Sequence, residues 1–258
     1  MEFSSKINKL LQLQPSGVVF TSSWLNQQGY SNELLQKYRT SNWLTAIGSG
    51  AMGRYNDPID YLGALYAIQN QLHLSVHPAG KTALLLAGKV HFMEFNATKV
   101  YLFGGEKEQL PAWFKNKDWG VEVRYKSSSF LPKNLGMMFY EHKNFSIQIA
   151  SPARALMECL YLAPDNQDLV ECYELMKGLT NIAPKTTQAL LEHCKSVKVN
   201  RLFLYLAEKA NHRWFSHLQL NQIALGEGKR SFAKNGVYIN KYKMTVPRAL
   251  AQDELPEL

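Results

Sequence analysis

The chain has 258 residues, 46% of them hydrophobic and 19% charged, with a formal net charge of +8. These proportions exclude a disordered or fibrous chain and suit a folded protein long enough for two domains. No apolar run reaches the ~18 residues that a bilayer span needs, and the first 14 residues lack a signal-peptide core, so a cytoplasmic protein without a membrane partner is expected. Cys159, Cys172 and Cys194 make an odd count with no CxxC pair, which points to buried thiols rather than a disulfide frame or a zinc knuckle.

Residues 2–14 place Phe3, Ile7, Leu10, Leu11 and Leu13 at helical spacing and stop at Pro15-Ser16-Gly17. Val18-Val19-Phe20 then reads as a short strand. Thr21-Ser22-Ser23 offers hydroxyl caps to a helix carrying Trp24 and Leu25, and Gly29 sits where that helix must stop and reverse. Ser31 can cap a second helix. Its Leu34, Leu35 and Tyr38 form an apolar stripe, while Asn32, Glu33, Gln36, Lys37 and Thr40 fall on the other side. Residues 43–47 are strand-like, residues 48–53 are glycine-rich, and Arg54 follows, as in a hairpin with Arg54 near its tip. The order is that of a winged helix-turn-helix. The competing reading is a helical hairpin whose loop only packs on a neighbour.

Asn56-Asp57-Pro58 is a helix start for a run carrying Tyr61, Leu62, Leu65, Tyr66 and Ile68, and residues 80–87 form a second helix closed by Gly88. From residue 89 the period changes. Residues 90–95, 99–103, 121–125, 137–140 and 145–149 are β-prone, and at least three of these runs are expected in one mostly antiparallel sheet. Helical periodicity returns over residues 152–162, 168–179, 185–196 and 201–210. Two short strands, 236–239 and 242–246, precede a tail at 251–258. The fold class expected is α+β: a winged helix-turn-helix domain over residues 1–88, then a larger mixed domain over 89–258 with an antiparallel sheet and a helical bundle.

The polar side of the second helix carries the functional reading. Asn and Gln can bond adenine edges in two places, and Lys and Arg can meet phosphates or guanine. On a recognition helix in a major groove, Asn32, Gln36 and Lys37 would approach bases beside Thr40, while Thr21, Ser22, Arg39 and Arg54 would hold phosphates of double-stranded DNA. The first 60 residues carry five cations (Lys6, Lys9, Lys37, Arg39, Arg54) against Glu2, Glu33, Asp57 and Asp60, which is only +1. Residues 201–250 carry nine cations against Glu208 and Glu227, which is +7. Such a weakly charged reader favours a homodimer on DNA or help from the C-terminal segment, where Lys229, Arg230, Lys234, Lys241 and Lys243 alternate with aromatics. The other reading of that segment is a solvated edge hairpin made basic to prevent edge pairing.

Catalytic and cofactor motifs fail on inspection. Gly80-Lys81-Thr82 resembles the end of a phosphate loop, but Ser75 stands where that loop needs glycine. His73, His77 and His91 lack an HExxH pattern, and Ser49 lacks a GxSxG elbow. Arg154 and Glu158 are four apart on a helix capped by Ser151 and read as an ion pair orienting that helix. No enzyme, cofactor or metal is expected.

Several of these stretches also resemble a known family. The reader at residues 21–55, the run His77-Pro78-Ala79-Gly80-Lys81-Thr82-Ala83-Leu84, the run Ser151-Pro152-Ala153-Arg154-Ala155-Leu156-Met157-Glu158, and residues 225–230 with 241–247 are similar to the AbiEi-type antitoxins of bacterial type IV toxin-antitoxin (abortive infection) systems. The resemblance implies an autorepressor for phage defence that binds inverted repeats in its own operator. It also implies a C-terminal domain that counters a nucleotidyltransferase-type toxin, with no stable complex between the two. The alternative is a non-catalytic protein-interaction module that uses a winged helix without binding DNA.

Overall fold

A computed structural model describes residues 6–89 and 98–252. Phe3, the strand expected over 90–95 with His91, and the tail beyond 252 lie outside the described residues. The first half runs α1 (Lys6–Gln12), β1 (Phe20–Thr21), α2 (Ser22–Gln27), α3 (Asn32–Thr40), β2 (Leu44–Gly48), β3 (Ala51–Arg54), α4 (Tyr61–Asn70), β4 (His77–Pro78), α5 (Gly80–Leu86), β5 (Lys99–Gly104), α6 (Ala112–Asn116) and β6 (Glu122–Ser127). The second half runs β7 (Met137–His142), β8 (Phe145–Ala150), α7 (Pro152–Leu162), α8 (Leu169–Gly178), α9 (Pro184–His193), α10 (Val197–Lys209), β9 (Arg230–Ser231), β10 (Val237–Ile239), β11 (Met244–Val246) and α11 (Arg248–Ala251). The class is mixed α+β, as the sequence indicates.

Two compact units interleave along the chain. Among the described residues, the first takes 6–77, 98–127 and 139–148, and the second takes 78–89, 128–138 and 149–252.

The first unit holds the winged helix. Leu10, Phe20, Leu25, Tyr30, Leu35, Leu44 and Met52 close one small core, so each helix and strand of the motif contributes at least one buried side chain. Each such side chain contributes roughly 1.5–3 kcal/mol on leaving water. The sheet order is β1-β3-β2, with Phe20 opposite Met52 and Leu44 opposite Arg54. The turn between α2 and α3 needs a left-handed backbone, and Gly29 supplies it at φ +83°. The next helix, α4, starts at Tyr61 behind the cap residue Asp60, rather than at 56–58. The Asp60 carboxylate accepts from the amides of Leu62 and Gly63, while Asp57 is taken by the Gly17 amide.

The strands expected in one mostly antiparallel sheet are arranged otherwise. Strands β5 and β6 pair in parallel, from Lys99 opposite Glu122 to Gly104 opposite Ser127. Strands β7 and β8 form a separate two-stranded hairpin. Side-chain alternation carries no information on strand direction, whereas the connection does: residues 105–121 are long enough for a crossover and contain α6.

In the second unit α5 packs on α7, whose residues from Ala153 to Leu160 are all buried, and α8 and α10 flank α7. The C-terminal sheet has the order β10-β11-β9, antiparallel on one side of β11 and parallel on the other. No helix among the described residues is long and apolar enough to cross a membrane.

Candidate nucleic-acid interface

Helix α3 is held from one side only. Ser31 Oγ accepts from the Leu34 amide at 3.3 Å, and Leu35 is 2% exposed while Leu34 and Tyr38 are half-buried. Asn32, Glu33, Gln36, Lys37, Arg39 and Thr40 all face solvent. The helix therefore presents two amides and two cations on one exposed surface, with a single acid at its first turn. Glu33 has its carboxyl held below the usual range by the backbone amide and Ser31 hydroxyl of that turn, so it stays ionised there.

These side chains are partly organised already. Arg39 donates to Gln36 Oε1, which engages one lone pair of that oxygen and joins the two side chains into one polar group whose N–H donors face solvent. Asn32 stands one turn earlier. Thr40 Oγ1 returns to the Lys37 carbonyl at 2.9 Å, which fixes the hydroxyl on the helix end.

Two expected phosphate contacts are committed inside the protein. Thr21 is 2% exposed, and its hydroxyl and amide both bond to Gln71 Oε1, at 3.0 and 2.8 Å, while Gln71 Nε2 donates to the Val19 carbonyl. It gives no side-chain cap to α2. Arg54 lies at the base of the wing rather than its tip, opposite Leu44, and its guanidinium donates to the Leu11 and Gln14 carbonyls at the end of α1. These two bonds hold the Arg54 guanidinium against the end of α1. Ser22 is half-buried, with its amide on the Gly50 carbonyl at 2.9 Å. The wing tip itself is Ser49-Gly50 and carries no charge. At the base of the hairpin, beyond the Leu44–Arg54 pair, Trp43 and Tyr55 are 46% and 49% exposed, with the Tyr55 amide on the Trp43 carbonyl.

In the second unit the basic residues sit around one buried cation that sequence reading missed. Arg201 is 1% exposed, and its guanidinium donates to the carbonyls of Leu225, Gly226, Gly228 and Lys243 at 2.7 to 3.1 Å. Burial lowers its pKa from the ordinary arginine value. Four main-chain acceptors hold the loop that displays Lys229, Arg230 and Lys243, all exposed. Lys229 lies over the Tyr238 ring at 5.3 Å, Lys241 pairs with Glu208, and Lys234 is exposed in the turn before β10.

The comparisons with known proteins bear on the whole chain. One family model, described as transcriptional regulator, AbiEi antitoxin N-terminal domain, matches residues 3–95. A second, transcriptional regulator, AbiEi antitoxin, type IV TA system, matches residues 97–247. The chain belongs to the AbiEi antitoxin family. No curated protein matches it. The crystal structure of the RV2827C protein from Mycobacterium tuberculosis is similar, with a TM-score of 0.56 and 13% identity over 92% of this chain and 88% of that one. At that identity the likeness concerns the fold alone.

Two of the stretches that mark this AbiEi chain in sequence meet in its second unit. Glu158 is fully buried between Arg154 Nε at 2.9 Å and the Gly80 amide at 3.1 Å, and Arg154 Nη1 reaches the Pro132 and Leu135 carbonyls. Lys81 bonds Glu171 at 2.8 Å. The glycine-lysine stretch thus gives its amide to a carboxylate of its own chain and is a structural joint. Among the described residues no group of three His, Cys, Asp or Glu side chains is placed to hold a metal ion.

Proposed function

We propose that this AbiEi chain is a non-catalytic, DNA-binding autorepressor whose reader is α3, within an N-terminal domain of residues 1–88. The observation that carries it is the exposed set Asn32, Gln36, Lys37 and Arg39 on a helix whose opposite face is locked into the winged-helix core. Asn32 is placed to read a base edge, the Gln36–Arg39 pair to donate to guanine or phosphate, and Lys37 to neutralise a phosphate. An operator of inverted repeats read by two copies fits the weak charge of one reader. The loop held by Arg201, with Lys229, Arg230, Lys234 and Lys243 at the surface, supplies further backbone contact or the antagonism of a nucleotidyltransferase-type toxin without a stable complex.

The test is binding to the chain's own upstream DNA against unrelated duplex. Asn32→Ala with Gln36→Ala is expected to lose the preference for operator by roughly tenfold or more while non-specific binding persists. Retained preference would remove α3 from base reading. The exposed Trp43 and Tyr55 favour a second reading, a winged helix that docks on a protein. Absence of DNA binding even at low salt would support that reading over the first.

A further inference from the structure

Helix α6 touches the wing on one side and lines a cleft on the other. Strand β2 and α6 pack so closely that a Cβ at Gly48 would lie 2.9 Å from Trp113 Cβ. The Trp113 ring meets Phe114 edge to face, with centroids 5.9 Å apart, and Phe114 walls a surface cleft of about 400 Å³. Trp119, Val123 and Tyr125 complete its apolar wall, and Lys115 and Lys117 stand at its rim. That volume lies within the range of small-molecule sites.

The chemistry of the lining narrows the occupant. Trp119 Nε1 donates to the Phe114 carbonyl and Tyr125 Oη to the Glu108 carbonyl, both at 2.8 Å. The polar atoms of both rings are thereby satisfied internally, and ring surface is what remains for a ligand. Burial, with Glu108 nearby, pushes the Tyr125 phenol up to about 12, so this wall is neutral. Neighbouring acids are engaged within the chain: Asp118 accepts from the Gly120 amide, and Glu108 from Ser75 and the Gly105 amide. Lys115 and Lys117 are exposed cations beside an aromatic wall.

We infer that this cleft binds a planar aromatic anion, ring against Trp119 and Tyr125 and charge at Lys115 and Lys117, and that its occupancy is transmitted to the wing through the buried Phe114 and Trp113. The site and its effect on the wing stand independently of the DNA-reading proposal. In titration calorimetry of the full chain, 2-naphthoate is expected to bind at least tenfold more tightly than uncharged 2-naphthamide. Lys115→Gln with Lys117→Gln, both at exposed positions, is expected to erase that difference, and Val123→Trp to abolish binding by filling the cleft. Equal binding of acid and amide, or undiminished binding in the lysine double variant, would overturn the site. Saturating naphthoate is expected to slow amide hydrogen exchange across residues 44–54, and unchanged exchange there would overturn the link to the wing. Neither readout needs DNA, so failure to bind the operator would count against the regulator reading alone.

Discussion

The exposed side of α3 and the loop at residues 225–243 both display cations at the surface, yet they are built in opposite ways. The helix is regular and capped by Ser31, and its chemistry projects outward with no buried polar support. The loop has little regular structure of its own and is held by Arg201 from beneath. Losing a surface cation should therefore change binding and leave the fold intact, whereas losing the buried one should change the fold first.

The largest effect expected is that of Arg201→Met. It leaves four carbonyls without their donor, at a cost of about 3 kcal/mol or more in urea unfolding, and should raise hydrogen exchange over residues 225–243 while α3 is unaffected. An unchanged midpoint would mean that the loop stands without its anchor. In the reader, Gly29→Ala forces a methyl into the left-handed region, costing roughly 1–2 kcal/mol, although nothing lies within 4 Å to clash. Ser31→Ala removes one cap and should cost about 1 kcal/mol in the same assay.

Asp60 adds a pH dependence to the first unit. Burial raises its pKa, but the Gly63 amide, His142 and Lys143 outweigh that and hold the carboxyl below its ordinary value. A depressed carboxyl contributes stability at neutral pH that is lost as pH falls through its folded-state value, below about pH 4. Asp60→Asn should flatten the acid limb of the stability curve below about pH 4.

The contrast between α3 and the loop also explains what could be read in the sequence. The winged helix was legible because each of its parts is local: a cap at Ser31, a glycine at 29, a stripe of Leu34, Leu35 and Tyr38, and a glycine-rich hairpin. The fate of Thr21 was not, because its hydroxyl partner, Gln71, is fifty positions away. Arg54 was misplaced for a geometric reason: the hairpin tip takes only Ser49 and Gly50, which puts residue 54 at the opposite end. Arg201 looked like one more cation on a helical run. Its burial depends on the carbonyls of a loop 24 to 42 residues later, which no periodicity foretells. The direction of β5 and β6 was hidden in the same way, since only the crossover through α6 reveals it.

The most direct test of the account is the salt dependence of binding to upstream DNA for the parent chain and for Lys37→Ala with Arg39→Ala. If α3 lies on the duplex, the double variant should unfold within about 0.5 kcal/mol of the parent. Its affinity should fall, and its slope of log affinity against log salt should be shallower by nearly two units, about 0.9 for each phosphate that is no longer neutralised. An identical slope and affinity would show that the duplex, if it is bound at all, is held somewhere else.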